Sequence, residues 1–484
     1  METHPSSRFL HRTTQPSMFT LMLLASISAL AMNSFLPSLE NMAQHFNTSS
    51  AIMGLSVGIY LGSSAIFQLF AGPLSDNIGR RPVLLWALAI FVLSCDNDDN
   101  DNDNGGNNIV APTSYEFTRD GESSVSFSGQ TTRLTQAEEL YAALNSSEAT
   151  ESGLDLMFNG DANGSAGFAD ASLNGTSKII GSKTAASTLA GSATTKQMFD
   201  DMIVDYANNV VPNWTSDAGP GQPGAISSPD GSSTYHLNGV GQEIDQLFFK
   251  GLIGAFTLDQ IVNNYIHPNQ LDSGTRIDDN DNDVLSGDNN YTDMEHKWDE
   301  GFGYLYGLEG DNLSNAGASP SGSGSLLMKY FKKVNDEGGY EPGIGQVVYD
   351  AFIMGRTAIV NKDYDLRDQQ AAIIKVELSK VIGYYAIHYM NDYVAKLEAG
   401  NVAKAHHSLS EGWGFLLSLQ FTNNGNDEPF MDKATVEYFL ANYMGDFHNM
   451  NPAVLTAPAS SQYPGMIALV KQAFEANGVT LNID

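Results

Sequence analysis

Two ten-residue stretches of this chain carry an imidazole and a carboxylate at the same spacing. Residues 296–305 read His-Lys-Trp-Asp-Glu-Gly-Phe-Gly-Tyr-Leu, and residues 407–416 read His-Ser-Leu-Ser-Glu-Gly-Trp-Gly-Phe-Leu. In each, His and Glu stand four apart, so on a helix both side chains share one face about a turn apart. A neutral imidazole and a carboxylate placed so can share a transition-metal ion or hydrogen-bond each other. His296, Glu300, His407 and Glu411 are therefore the candidate metal ligands, with iron, zinc or copper the divalent metals in view; a purely structural His–Glu pair has the same spacing. Glu243, Glu295, Glu377 and His388 are further candidates that rest on single polar positions. No residue is assigned a catalytic role. The two-His zinc pattern H-E-x-x-H is absent, and the full G-x-S-x-G match, Gly54 to Gly58, lies inside an apolar run rather than on a strand-to-helix turn. These residues favour a binding protein over an enzyme.

The elements that must position these groups are helices. Upstream of each stretch lies a second match, Val262-Asn263-Asn264-Tyr265-Ile266 against Met390-Asn391-Asp392-Tyr393-Val394, in the same order. A helical pair is thus repeated, over about 241–308 and 368–421. Copies packed about a pseudo-twofold axis would bring all four ligands into one interior, as in di-metal bundles. The Gly-aromatic-Gly after each Glu lets backbones approach closely, and the first Gly can also cap a helix. Helical periodicity predicts helices over Gly241–Tyr265, Val347–Ile359 and Asp368–Leu397, with others at Thr135–Asn145 and near Thr195–Asn209. One short strand pair is predicted, Ser114–Arg119 with Ser124–Ser128. The acidic run from Asp278 to Asp283 departs from a calcium-binding loop, with Val284 where the turn glycine belongs and Asn290 where a closing Glu would stand.

Composition divides the chain. Its 484 residues carry a net charge of −32 and one Cys, which excludes a nucleic-acid binder, a disulfide scaffold and a Cys-rich zinc site. Residues 1–95 hold four arginines against three acids, so they carry +1 and the remainder −33. Residues 17–38 and 51–74 are free of charge and long enough to span a bilayer, while 82–94 is shorter. Three N-terminal transmembrane helices are predicted. Between the second and third stands Gly72-Pro73-Leu74-Ser75-Asp76-Asn77-Ile78-Gly79-Arg80-Arg81-Pro82. This resembles the loop signature of the major facilitator superfamily, with Gly72, Asp76, Gly79, Arg80 and Arg81 as the matching positions. Residues 17–94 resemble the first three helices of its bicyclomycin-resistance branch. The arginines place the loop in the cytoplasm. The resemblance stops after a fifth of the chain, and no later segment supplies the missing spans, so it implies an anchor or a fused fragment of a drug efflux transporter. Arg80-Arg81, the apolar run and Val92-Leu93-Ser94-Cys95 also resemble a bacterial lipoprotein signal, with Cys95 as the lipidated residue.

Residues 96–110 form an acidic linker, and 111–484 an extracytoplasmic helical domain. The acidic start, Tyr115-Glu116-Phe117-Thr118-Arg119-Asp120-Gly121, Lys250-Gly251-Leu252-Ile253-Gly254 and the 296–304 stretch resemble a bacterial lipoprotein family of unknown function (domain of unknown function 4856), distantly similar to the imelysin-like proteins. Imelysin's own G-x-H-x-x-E is not found. The resemblance implies a mainly α, duplicated helical-bundle fold and a membrane-anchored periplasmic binding protein, for iron or another metal ion or its complex. A metallopeptidase is the alternative. The implied partners are the lipid bilayer and an outer-membrane uptake receptor, and no nucleic acid. The implied location is the bacterial cell membrane with the large domain in the periplasm, or the outer membrane if Cys95 is acylated.

Overall fold

The computed structural model describes residues 109–187 and 193–483. The three apolar runs, the Gly72–Arg81 loop motif, Cys95 and residues 96–108 of the linker lie outside the described residues. Among the described residues no helix is long and apolar enough to cross a membrane.

Helices of nine or more residues are numbered here: α1 Ser128–Ala143, α2 Glu151–Asn159, α3 Ala193–Asp205, α4 Ile244–Leu252, α5 Asp293–Tyr306, α6 Leu327–Asn335, α7 Ile344–Val360, α8 Tyr364–Glu398, α9 Val402–Ser418, α10 Lys433–Tyr443 and α11 Met466–Glu475. Two antiparallel hairpins complete the described fold. One pairs β1, Thr118–Arg119, with β2, Glu122–Ser123; the other pairs β3, Gly224–Ser227, with β4, Thr234–Leu237. The protein is mainly helical.

Helix boundaries follow local chemistry. The α5 start is a capping box: the Thr292 hydroxyl accepts from the Glu295 amide while the Glu295 carboxylate accepts from the Thr292 amide. The α8 start is held by Asp363, whose carboxylate accepts from the Leu366 amide. The predicted helix at Thr135 begins earlier, at Ser128, because its polar first turns bury Gln130 and Arg133 rather than apolar residues. Of the predicted strand pair, the first strand shrinks to Thr118–Arg119, and its partner is Glu122–Ser123 rather than Ser124–Ser128, because residues 124–127 lead as coil into α1. The helix predicted over Gly241–Tyr265 starts at Ile244 and widens into π turns at Ile253–Leu258 and Ile261–Tyr265, insertions that periodicity does not reveal. The acidic run is helical over Arg276–Asp281 rather than an ion-binding loop. Its Asn280 turns inward, donating to the Ile359 carbonyl and accepting from the Thr292 hydroxyl.

The core is organised on α8, which packs between α7 and α9, while α9 also lies along α4. Ile374, Leu378, Ile382, Ile387 and Met390 line its buried side. A charge network ties residues 115–119 to α5 and α7. Arg356 contacts Glu295 at 2.9 Å and Asp299 at 3.1 Å, Arg119 reaches Glu295 at 2.9 Å, and the Tyr115 hydroxyl donates to Asp299 at 2.7 Å.

Candidate functional site

Each His–Glu stretch lies on a helix wedged between two others, and its glycines are the points of closest approach. A Cβ at Gly301 would lie 2.8 Å from Ile266 Cγ2 and 3.4 Å from Tyr265 Cβ; one at Gly412 would lie 3.3 Å from Tyr389 Cβ and 3.7 Å from the Met390 nitrogen. At the next pair, a Gly303 Cβ would overlap Phe127 of the segment entering α1, and a Gly414 Cβ would overlap Lys250 of α4. The aromatic contacts match as well. Tyr265 and Tyr304 stack at 5.7 Å and 29°, and Tyr389 and Phe415 at 5.7 Å and 25°. The counterpart of Tyr265 is thus Tyr389. The sequence match pairs Tyr265 with Tyr393, one helical turn too far, because the shared Asn-x-Tyr lettering falls one turn beyond the contact with Gly412.

In the first stretch, His296 Nδ1 lies 3.1 Å from the Ser126 carbonyl. A carbonyl only accepts, so Nδ1 carries the proton and the neutral ring keeps its lone pair on Nε2. That Nε2 stands 3.9 Å from Glu300 Oε2, too far for a hydrogen bond. Burial lowers the His296 pKa, against the opposing charge of Glu300, which favours the neutral ring. Glu300 accepts from Lys297 at 2.7 Å and from Gln130 at 2.9 Å. Burial would raise its pKa, but the charge and hydrogen bond of Lys297, with the Gln130 hydrogen bond, together hold the carboxylate below its ordinary value. Tyr291 stacks on the His296 ring at 4.7 Å.

The second stretch has the same outline with different charges. His407 Nδ1 lies 2.6 Å from Glu243 Oε2, and Nε2 lies 3.4 Å from Glu411 Oε2. Burial alone would depress the His407 pKa; the hydrogen bond and charge of Glu243 overcome it and raise the pKa, so the ring favours the imidazolium. Lys250 reaches Glu411 at 3.4 Å and donates to the side-chain amide oxygen of Gln246 at 3.0 Å. Burial, reinforced by the neighbouring Glu243, raises Asp245 well above the carboxylate range. Tyr235 stacks on His407 at 4.5 Å. The adjacent His406 donates to the Gly241 carbonyl at 2.7 Å. Gly241 sits at φ +83°, and a Cβ there would fall 2.6 Å from the His406 ring, so this turn requires glycine.

The expected convergence of His296, Glu300, His407 and Glu411 does not occur. His296 and Glu300 bond to the Ser126–Gln130 segment, His407 and Glu411 to Glu243 and Lys250, and no hydrogen bond or ion pair joins the two sets. Among the described residues no three His, Cys, Asp or Glu side chains gather so as to hold a metal ion. The physical reason is the shared wedge: each stretch is enclosed by its own two neighbours, which separates the copies rather than facing them. Of the weaker candidates, Glu243 joins the second site. Glu295 is committed to Arg119 and Arg356, Glu377 to Lys380 at 2.8 Å, and His388 to the Tyr340 hydroxyl at 2.6 Å. Sequence reasoning missed Gln130 and Lys250. Lys250 interrupts the apolar run Leu247–Leu252, which was an available signal, whereas nothing in the polar first turns of α1 marks Gln130 out.

These features describe a mainly helical domain with two separate His–Glu pairs on matched helices. The chain belongs to the family described as "Domain of unknown function (DUF4856)", whose model matches residues 112–451. Residues 21–95 match the model of the Major Facilitator Superfamily. There the chain is similar to "Multidrug resistance protein D" of Escherichia coli (strain K12), 36% identical over 74 residues, which is 15% of this chain and 19% of that protein. It is similar also to "Multidrug resistance protein MdtM" of Salmonella typhimurium, 42% identical over 59 residues (12% of this chain, 14% of that one), and to "MFS antiporter QDR2" of Candida albicans, 36% identical over 75 residues (16% and 15%). The chain therefore spans less than a fifth of the length of these curated relatives. No solved structure matches.

Proposed function

We propose that this protein is a membrane-tethered periplasmic binding protein, with an imelysin-like duplicated bundle, that takes up a metal in the form of a complex, and that the His296–Glu300 pair grips it. The observation that carries this reading is the orientation of His296. Its Nδ1–H is anchored on a backbone carbonyl and its Nε2 lone pair faces Glu300 across 3.9 Å. That anchoring is the usual outer support of a metal-bound histidine. A metal about 2 Å from each donor atom would span this gap at a wide donor–metal–donor angle, and it would share Glu300 Oε2 with Lys297. Two protein donors suit a metal whose remaining positions are filled by its own ligands, whereas a bare ion wants more. The His407–Glu411 pair repeats the outline, but its raised pKa means that a proton must leave before a metal enters, so the second site loads at higher pH. The N-terminal segment supplies the tether in this reading. A peptidase is disfavoured because neither site sets a water-activating base beside two further metal ligands.

The full chain, stripped with chelator and offered iron, zinc or copper as citrate complexes, is expected to retain metal at pH 7. His296→Ala should remove that fraction, and His407→Ala should affect only binding gained above it. Full retention by the double variant, measured by elemental analysis after gel filtration, would refute the proposal.

A further inference from the structure

The acidic part of this chain holds five described arginines, and four have carboxylate partners. Arg119 pairs with Glu295, Arg276 with Asp293, Arg356 with Glu295 and Asp299, and Arg367 with Asp272 and Asp368. The fifth, Arg133 on α1, is 5% exposed, and its Nε has no hydrogen-bond partner. No described carboxylate lies within ion-pair distance of it. An uncompensated buried guanidinium is costly, and in a chain so rich in Asp and Glu a protein partner was readily available.

Arg133 is not isolated. It lies beside the Tyr304 hydroxyl, a neutral group whose contact with the guanidinium leaves the Arg133 charge without a carboxylate. Lys183, at the end of the 3-10 turn Gly181–Lys183, places Nζ 5.2 Å from the Tyr265 ring centroid, and Lys297 of α5 places Nζ 5.9 Å from the same centroid. Tyr265 stacks on Tyr304, so the three cations surround one pair of rings. Lys183 also has no ion pair among the described residues, and its half-buried ammonium feels Arg133, Lys297 and Lys178 as like charges, with Glu300 the opposing one. Glu300 is already engaged by Lys297 and Gln130. The cluster therefore has excess positive charge and vacant donors.

We propose that Arg133, Lys183 and Lys297, with the Tyr304 hydroxyl, form a binding site for a compact oxyanion of the phosphate or sulfate class. Guanidinium and phosphate match in planar, two-point geometry, and Lys183 and Lys297, each partly exposed, leave the site open to solvent. The site adjoins the His296–Glu300 pair through Lys297, which also holds Glu300, and its occupant is tested without metal, so its failure and that of the metal reading are distinguishable.

The full chain in detergent, at constant ionic strength set with sodium chloride, would be titrated with inorganic phosphate, sulfate and glycerol phosphate by calorimetry. Phosphate or sulfate should bind with a 1:1 stoichiometry; glycerol phosphate binding equally well would mean that the group is carried on a larger ligand. Arg133→Met should weaken binding at least tenfold while leaving the apo protein as stable or more so, since it deletes an unpaired buried charge. Lys183→Met, at a half-buried turn, should weaken it severalfold without disturbing packing, and Lys362→Met, distant and paired with Asp283, should not. No heat or thermal shift with either anion in the wild type, or unchanged affinity in both Arg133→Met and Lys183→Met, would overturn the proposal.

Discussion

Individual buried charges in this fold make opposite demands, and each can be separated by substitution. Arg356 is wholly buried and satisfies two carboxylates at once, Glu295 and Asp299. Arg356→Met would leave both without their shared partner, and its cost should be about 3–5 kcal/mol in urea unfolding; a cost below 1 kcal/mol would mean that water replaces the guanidinium. Asp259 behaves differently. Burial pushes its pKa from an ordinary 3.8 to about 6, although the Ser187 hydroxyl at 2.6 Å and the Asn263 amide at 3.1 Å pull it down. The folded state thus holds a proton that the unfolded chain gives up at lower pH. Its contribution is fully present below the unfolded value and is lost as pH rises through about 6. Asp299, also pushed up to about 6 by burial despite Arg356, acts in the same direction. Between pH 4.5 and 7 the wild type should therefore lose more stability than Asp259→Asn, by on the order of 2 kcal/mol. Parallel curves for the two proteins would remove Asp259 from the titrating groups.

At the scale of elements, the long helices were legible because their apolar periodicity survives over many turns. The predicted Asp368–Leu397 and Val347–Ile359 helices are found as Tyr364–Glu398 and Ile344–Val360. What could not be read was register. The lettering pairs Tyr265 with Tyr393, whereas packing against Gly301 and Gly412 pairs it with Tyr389, since a repeat in sequence carries no information about which turn meets a neighbour. The glycines of each stretch were legible as sites of close approach but not as unequal ones. Gly414→Ala would drive a methyl group into Lys250 and to 2.7 Å from the Gly251 nitrogen, a backbone atom that cannot yield. At Gly412 the nearest atom is a Tyr389 Cβ at 3.3 Å, which a few tenths of an ångström relieves. Gly414→Ala should accordingly cost about 1–3 kcal/mol as overpacking. Gly412→Ala should fall near neutral, because the gain of about 1 kcal/mol in helix propensity offsets the contact. Equal melting temperatures for the two variants would show that α9 shifts freely against α4.

For the molecule as a whole, charge and fold are in tension. The mainly helical class and the candidate residues followed from periodicity and spacing, but the joint four-residue site did not survive, because similarity between copies fixes the shape of each and not the distance between them. Arg133 escaped notice for the converse reason: its significance is the absence of a partner, which only three-dimensional neighbours reveal. The excess of negative charge, −33 over residues 96–484, is itself a property of sequence with a structural consequence. The strongest pairs, those of Arg356, are buried and screened little by salt, while exposed pairs such as Lys362–Asp283 contribute roughly 0–1 kcal/mol. Like-charge repulsion spread over the surface is the larger salt-sensitive quantity, and it opposes the compact state more than the expanded one. Raising sodium chloride from roughly 10 mM, where the screening length is about 30 Å, to roughly 150 mM, where it is about 8 Å, should therefore raise the melting temperature of the domain. A fall over the same range would mean that the surface ion pairs outweigh the repulsion and that the acidic side chains are arranged, not merely abundant.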